Sequence, residues 1–192
     1  MPLSHAILGF LEYQPMTGYD LKKLFDQSVA HFWSATQSHI YKALENLEKE
    51  GLVESQIIQG EGKPNRKEYH ITEAGTTELR RWLVTPLPLE PVRDATMIQI
   101  FFSHFSTDDE ITALFAARMQ ATRERLQVLQ TLAQAAIDEN ADRIGIERVR
   151  QLWQITLDYG IAYYDFELAW QMKTLATIRN LPPLTPPNPR AD

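Results

Sequence analysis

The segment ATQSHIYKALENLEKEGLV, Ala35 to Val53, predicts a short helix followed at once by an extended strand. Four apolar residues recur at steps of three and four, the spacing of one helix face: Ile40, Ala43, Leu44 and Leu47. Thr36 is a typical N-cap residue, and Gly51 stands where a left-handed residue ends many helices. The function of this helix depends on the polar residues near its start, which lie off the apolar face.

Six residues occupy the early, non-apolar part of this helix: Gln37, Ser38, His39, Tyr41, Lys42 and Asn46. Amide, ammonium and hydroxyl groups match the donors and acceptors on base edges in the DNA major groove. We therefore interpret the six residues as candidate DNA contacts. An ordinary solvated helix face is the alternative, and Glu45 and Glu48 count against dense contact with phosphate.

Two helices are predicted before this one. Residues 3–12 carry the spacing of an amphipathic helix, and the sequence QPMTG then interrupts it. Thr17, with Asp20 three residues on, predicts a capping box at the start of the second helix. On that helix Tyr19, Lys22 and Lys23 are candidate contacts with the DNA backbone, whereas Leu21, Leu24 and Phe25 form its apolar side.

A hairpin and a fourth helix are predicted after it. The β-branched residues of LVESQIIQ and the alternation in RKEYHI predict two strands, joined by the turn sequence GEGKPN. Thr72 then caps the helix EAGTTELRRWL, which we expect to bury Leu79, Trp82 and Leu83. Three helices, a hairpin and a helix make a winged helix-turn-helix. A generic small α+β domain is the alternative.

The predicted hairpin has a basic tip, at Lys63, Asn65, Arg66 and Lys67. Such a tip can lie along the minor groove or the sugar-phosphate backbone, where cations displace counterions. The alternative is that these charges only keep the turn soluble.

The second half of the chain predicts helices alone. A proline-rich linker, TPLPLEPV, leads to one short helix containing Met97, Ile98, Phe101, Phe102 and Phe105. Thr107 and Glu110 predict a second capping box, opening a long helix to about Ile137 that DENADRIG interrupts. A last helix extends from about Ile146 to Arg179, before the proline-rich ending. The predicted division is residues 1–85, 86–182 and a tail, 183–192.

The last helix is apolar around more of its girth than one neighbouring helix can cover. Its apolar and aromatic residues include Leu152, Trp153, Ile155, Tyr159, Tyr163, Phe166 and Trp170. A second copy of the chain is the simplest cover, and we therefore expect an isologous homodimer. Flat side chains around an interhelical gap could also stack on a small-molecule effector, with dimer core as the preferred alternative.

Composition excludes several classes of function. The chain of 192 residues has no cysteine, which excludes disulfides and thiolate chemistry. Its formal net charge of -6 argues against non-specific binding to nucleic acid. No apolar run approaches the roughly 20 residues needed to span a bilayer, so we expect no membrane partner and a cytoplasmic protein. The five histidines lack ligand spacing, and no nucleophile, base and orienting group can be assembled. We expect no metal, no cofactor and no enzymatic activity.

The motifs FW…SHIYKALENLEKEGLV and GKPNRKEYHITEAGTTELRRWL resemble those of the PadR family of bacterial transcriptional regulators. The opening LGFLEYQPMTGYDLKK is also similar, and the likeness covers residues 3–84 closely. Lys42 departs from the proline that family members often have after the Ile-Tyr pair. The helical second half resembles, more diffusely, a longer subfamily in which this region dimerises.

The resemblance implies a mainly α fold: an α+β winged helix-turn-helix with an all-α C-terminal dimerisation domain. It also implies a dimeric repressor that binds operator DNA, an imperfect palindrome, and that a small, often aromatic, effector releases. The reading helices of the two copies should lie about 34 Å apart. One alternative is a protein-protein interaction module without DNA binding. Another is a small-molecule binding protein, which leaves the basic hairpin unexplained.

Overall fold

The computed structural model describes residues 2–30, 32–59, 65–89, 91 and 93–182. It is mostly helical, with one small antiparallel sheet. The chain divides into two compact units, Met1–Pro88 and Leu89–Asp192. None of the helices in the described part combines the length and the apolar character needed to cross a membrane. The predicted tail, 183–192, lies outside the described residues.

The first unit has the predicted order of helices and hairpin, with one short strand added. Its elements are helix α1 (Pro2–Leu11), strand β1 (Met16–Thr17), helix α2 (Gly18–Gln27), helix α3 (Gln37–Lys49), strands β2 (Val53–Ile58) and β3 (Arg66–Ile71), and helix α4 (Glu73–Leu83). This is the winged helix-turn-helix expected from the sequence, and α3 is its second motif helix.

The sheet has the order β1-β3-β2, and both pairings are antiparallel. Met16 pairs with Tyr69, and Val53 pairs with Ile71. Strand β1 was not predicted, because two residues are too short to show an alternating pattern. Its pairing attaches the start of α2 to the hairpin, which we call the wing (residues 53–71).

One core holds the first unit together. It is built from the apolar faces of α1, α2, α3 and α4 and from one face of the sheet, with these residues buried: Ile7, Leu8, Leu11, Met16, Leu21, Phe25, Ile40, Ala43, Leu44, Leu47, Val53, Tyr69 and Leu79. The four apolar residues predicted for α3 are all among them. Leu83 was predicted to be buried but is exposed, because α4 ends there, one turn past Leu79.

The start of α4 is locked onto the end of α3. The Thr72 hydroxyl accepts from the Gly75 amide and donates to the Gly51 carbonyl, at 3.1 and 2.8 Å. Gly51 has a φ of 70°, the predicted left-handed end of α3. A Cβ added to Gly75 would lie 2.1 Å from the Leu52 carbonyl oxygen. The glycine is therefore required for this close approach of α4 to the segment between α3 and β2.

The second unit consists of helices. Its elements are α5 (Ala95–Phe101), a 3-10 turn (Ser103–Phe105), α6 (Asp108–Val128), a π turn (Leu129–Ala133), α7 (Gln134–Ile144) and α8 (Glu147–Ile178). The predicted capping box of Thr107 and Glu110 is complete. Two predictions were wrong: α5 ends before Phe102, and DENADRIG continues the helix as far as Ile144. Asn140 bonds the Ala136 carbonyl there, and the left-handed Gly145 ends α7.

The core of the second unit lies between α6 and α8, around Phe115, Leu175 and Ile178. A polar network crosses the same helices. Arg118 donates to Asp94 at 2.8 Å and to Glu167 at 3.0 Å. Burial alone would raise the pKa of the Asp94 carboxyl, but bonds from Thr96 and the Arg118 charge lower that pKa. This network joins α6 and α8 to the cap of α5.

Candidate nucleic-acid interface

The start of α3 presents polar side chains to solvent. The Thr36 hydroxyl accepts the His39 amide at 3.3 Å and lies 2.9 Å from the Ser38 hydroxyl. Gln37, Ser38, His39 and Lys42 are all exposed, whereas the opposite face of the helix is buried. The free amides of a helix start also attract anions such as phosphate. The first turns of α3 therefore offer donors and acceptors on one open face.

The side chains of Tyr41 and Asn46 are less accessible to a ligand than those of the other candidate residues on α3. A Cβ on Gly18 would lie 2.6 Å from the Tyr41 ring, so that ring packs on the first turn of α2. Asn46 is half-buried, so less of its side chain is open to a ligand. Tyr41 therefore packs α3 against the start of α2. Sequence spacing could not reveal this contact, because it joins residues on two different helices.

The candidate backbone contacts on α2 differ from one another. Tyr19 and Lys23 are exposed. Lys22 is half-buried and pairs with Asp26 one turn on, so part of its charge is already neutralised. Thr17 accepts from the Asp20 amide and donates to its carboxylate, which orders the start of this helix.

The candidate residues of the wing are only partly described. Lys63 lies outside the described residues. Asn65 and Arg66 are exposed, and Arg66 pairs across the sheet with Ile58. Lys67 instead donates to Glu48 of α3 at 2.8 Å. The wing lysine is therefore tied to α3, a contact that sequence reasoning missed because it spans 19 positions.

The Glu48 carboxylate accepts a second bond, from the Ser55 hydroxyl of β2 at 2.5 Å. The bonds from Lys67 and then from Ser55 hold the pKa of the Glu48 carboxyl below its usual value. The bond to Glu48 likewise raises the pKa of the Lys67 ammonium. Glu48 therefore stays ionised at neutral pH with its charge locally balanced, which weakens the objection that it repels phosphate.

Helix α8 has two different faces within one chain. Leu157, Gly160, Gln171 and Leu175 are buried on the face that packs inside the second unit. Five residues of the predicted dimerisation set lie on the open side: Leu152, Ile155, Tyr159, Tyr163 and Phe166, with exposed fractions of 50, 62, 66, 47 and 65%. An apolar surface of this length is rare on a monomer in solution.

The aromatic residues considered for an effector do not form one cluster in a single chain. Tyr159, Tyr163 and Phe166 are exposed, and burial of part of the Tyr163 ring raises the pKa of its hydroxyl. Trp170 is half-buried and packs on Phe115, with ring centroids 6.3 Å apart. Trp153 is also half-buried. Among the described residues, no group of three or more histidines and acids could hold a metal ion.

Two family patterns divide the chain between them. The transcriptional regulator PadR-like family matches residues 7–81, and the family called virulence activator alpha C-term matches residues 92–179. A probable transcriptional regulator of Mycobacterium tuberculosis is 39% identical over 98 residues, 50% of this chain and 52% of that one. The chain thus matches about half the length of this relative.

The negative transcriptional regulator PadR of Bacillus subtilis is 35% identical over 130 residues, 67% of this chain and 71% of its own. A crystal structure of that protein in complex with operator DNA superimposes with a TM-score of 0.76 at 27% identity, covering 93% of this chain and 99% of that chain. Its complex with p-coumaric acid gives a TM-score of 0.72 at 25% identity, covering 94 and 100%. This chain belongs to the PadR-like family of transcriptional regulators.

Proposed function

We propose that the chain is a cytoplasmic, homodimeric repressor that binds specific duplex DNA and is released by a small aromatic molecule. Residues 1–85 read the DNA, and residues 86–182 dimerise and receive the effector. The observation that carries the proposal is the open polar face at the start of α3, set in a winged helix-turn-helix.

The DNA contacts divide into base readers and backbone contacts. The reading set is Gln37, Ser38, His39, Tyr41, Lys42 and Asn46. The start of a reading helix meets base edges when the helix lies in the major groove. Arg66, Asn65 and Lys63 of the wing, with Tyr19 and Lys23, touch the backbone. A B. subtilis relative of the same fold has been solved in complex with operator DNA, which supports this arrangement.

The dimer rests on the open side of α8. Leu152, Ile155, Tyr159, Tyr163 and Phe166 recur at steps of three and four over four turns, the pattern of a helix-helix seam. An isologous contact pairs this face with itself, so every open apolar residue is covered by one from the other copy. Dimerisation then holds two reading helices at a fixed spacing, as a palindromic operator requires.

The proposal of repression and of release by an effector is made by analogy with the B. subtilis relative. That protein is a negative transcriptional regulator, and its structure has been solved in complex with p-coumaric acid. An aromatic effector that changes the packing of α8 would alter the spacing of the reading helices. The expected chemistry is stacking of the effector ring on Tyr159, Tyr163 or Phe166, in a gap that the two paired α8 helices leave between them.

The DNA proposal is tested by fluorescence anisotropy of the full chain with a duplex that it selects from random-sequence DNA. Affinity should fall steeply with salt. Lys42→Ala should weaken binding at least tenfold. Arg123→Ala is the control, because it removes one positive charge from an exposed position on α6, and it should have little effect. Salt-independent binding, or no binding to any duplex, would favour a protein-protein interaction module instead.

The effector proposal is tested by adding p-coumaric acid to the protein-DNA complex. The anisotropy should fall as the complex dissociates. An aliphatic carboxylic acid of similar size is the control, since it carries the same charge without a ring. Equal effects of both acids, or no effect of either, contradict an aromatic effector site.

A further inference from the structure

Lys67 lies at the centre of a small polar cluster between the wing and α3. Its ammonium is 2.8 Å from a Glu48 carboxylate oxygen and 5.2 Å from the centroid of the Tyr69 ring. The other Glu48 oxygen accepts from Ser55 on the neighbouring strand at 2.5 Å. One carboxylate at the end of α3 therefore binds both strands of the wing.

Both ends of this contact are well placed to orient the wing. Ser55, Tyr69 and Lys67 lie on one face of the sheet, since Ser55 pairs with Tyr69 and Lys67 is two residues away on the same strand. Tyr69 is buried in the core, which anchors the inner end of the cluster. Glu48 is in the last turn of α3, roughly 15 Å along the axis from Ser38.

Arg66, the next residue along β3, is different. It projects from the opposite face of the strand and is exposed, and it forms no ion pair with any described residue. Lys67 and Arg66 thus differ in whether their charge is already paired within the described part of the chain. The charge of Lys67 is shared with Glu48, whereas that of Arg66 is available to an external anion.

We propose that Lys67 is a positioning residue, which with Glu48 and Ser55 ties the wing to the reading helix, while Arg66 makes the contact with DNA phosphate. The inference rests on the proposed function, and it assigns positioning of the wing to Lys67 and contact with DNA to Arg66. It also gives Glu48 a favourable part in DNA binding, although its charge has the sign of the phosphates. Without the tie, DNA binding must order the wing at an entropic cost.

The first experiment compares three single variants and one double variant of the full chain by salt titration of DNA affinity, using a duplex selected from random-sequence DNA. Arg66→Met should lower the slope of log affinity against log salt by about 1.8, because each copy in the dimer loses one phosphate contact and each contact contributes about 0.9. Lys67→Met should leave that slope unchanged and weaken binding by about two- to fivefold at every salt concentration.

Glu48→Gln tests the inference by the direction in which DNA affinity changes. Removal of a negative charge near DNA would by itself strengthen binding, and it would free Lys67 for phosphate. Loss of the tie should instead weaken binding about two- to fivefold, and the double variant Glu48→Gln/Lys67→Met should be no weaker than either single variant. Unchanged or tighter binding by Glu48→Gln overturns the inference, as does a lower salt slope for Lys67→Met.

The second experiment needs no DNA. Amide hydrogen exchange in strands β2 and β3 should become faster in Lys67→Met and in Glu48→Gln, but not in Arg66→Met. Unchanged exchange in either of the first two variants overturns the tie. If exchange responds as expected while the wild-type chain binds no duplex, the proposed function fails and the structural tie stands. Urea unfolding checks that each substitution leaves the fold intact.

Discussion

Phe166→Ala tests the dimer proposal directly. Phe166 lies at the C-terminal end of the open face of α8 and is 65% exposed in a single chain. Complete burial of a phenylalanine side chain stabilises by about 1.5–3 kcal/mol, so covering the exposed two thirds contributes about 1–2 kcal/mol per copy. An isologous interface contains the residue twice, and the substitution should therefore cost about 2–4 kcal/mol of association free energy. At 1.4 kcal/mol per factor of ten, the dissociation constant of the dimer rises by about 30- to 700-fold.

The assay is sedimentation velocity of the full chain over a dilution series. Met172→Ala is the matched control, because Met172 is 55% exposed on the same helix but about 120° around the axis from Phe166. The control should dissociate at the wild-type concentration. DNA affinity should fall with dimer content in Phe166→Ala, since one reading head makes half of the contacts. The reasoning is refuted if the wild-type chain is a monomer, or if both variants dissociate at the same concentration.

Three further substitutions test other parts of the structure. Gly75→Ala should destabilise the first unit by about 1–3 kcal/mol, because the added methyl group overpacks the start of α4. Gly9→Ala is the control, since a Cβ there meets open space, and it should be neutral or slightly stabilising. Urea unfolding compares the two variants, and equal midpoints contradict the packing argument. Glu78 has a pKa lowered to about 2, chiefly by its bond with Arg81, so its stabilising effect is present above pH 4.5 and is lost as pH falls toward 2. The difference in stability between wild type and Glu78→Gln should therefore shrink across that range in acid unfolding, and a constant difference contradicts the assignment. Thr36→Ala should cost about 1 kcal/mol through loss of the α3 cap, seen as a lower thermal midpoint; an unchanged midpoint shows that the cap bond contributes little.

Local signals in the sequence were sufficient for most of the first unit. The caps at Thr17, Thr36 and Thr72 and the left-handed Gly51 were all identified correctly, since each acts within four residues of its own position. The apolar period of α3 likewise identified its buried face. Errors occurred where local signals were absent or ambiguous. Strand β1 is too short to show a period, and the polar residues of DENADRIG are compatible with both a loop and an exposed helix.

The candidate site divides in the same way. Residue types and helical spacing identified the polar face of α3 and the basic wing, because both are properties of one continuous segment. They could not show that Lys22 pairs with Asp26 while Lys23 stays open, or that Tyr41 packs on Gly18. The apolar girth of α8 indicated two contact faces, and the structure shows which of them its own chain covers.

The sequence alone thus determined the order of elements, their caps and the apolar face of each, because short-range hydrogen bonds and the helical and strand periods depend only on neighbouring residues. The tertiary structure decided which charges remain available to a ligand. Lys67 and Arg66 are adjacent and chemically alike in the sequence, yet only Lys67 meets Glu48. The physical reason is that alternate residues of a strand project to opposite faces, and only folding brings α3 against one of them.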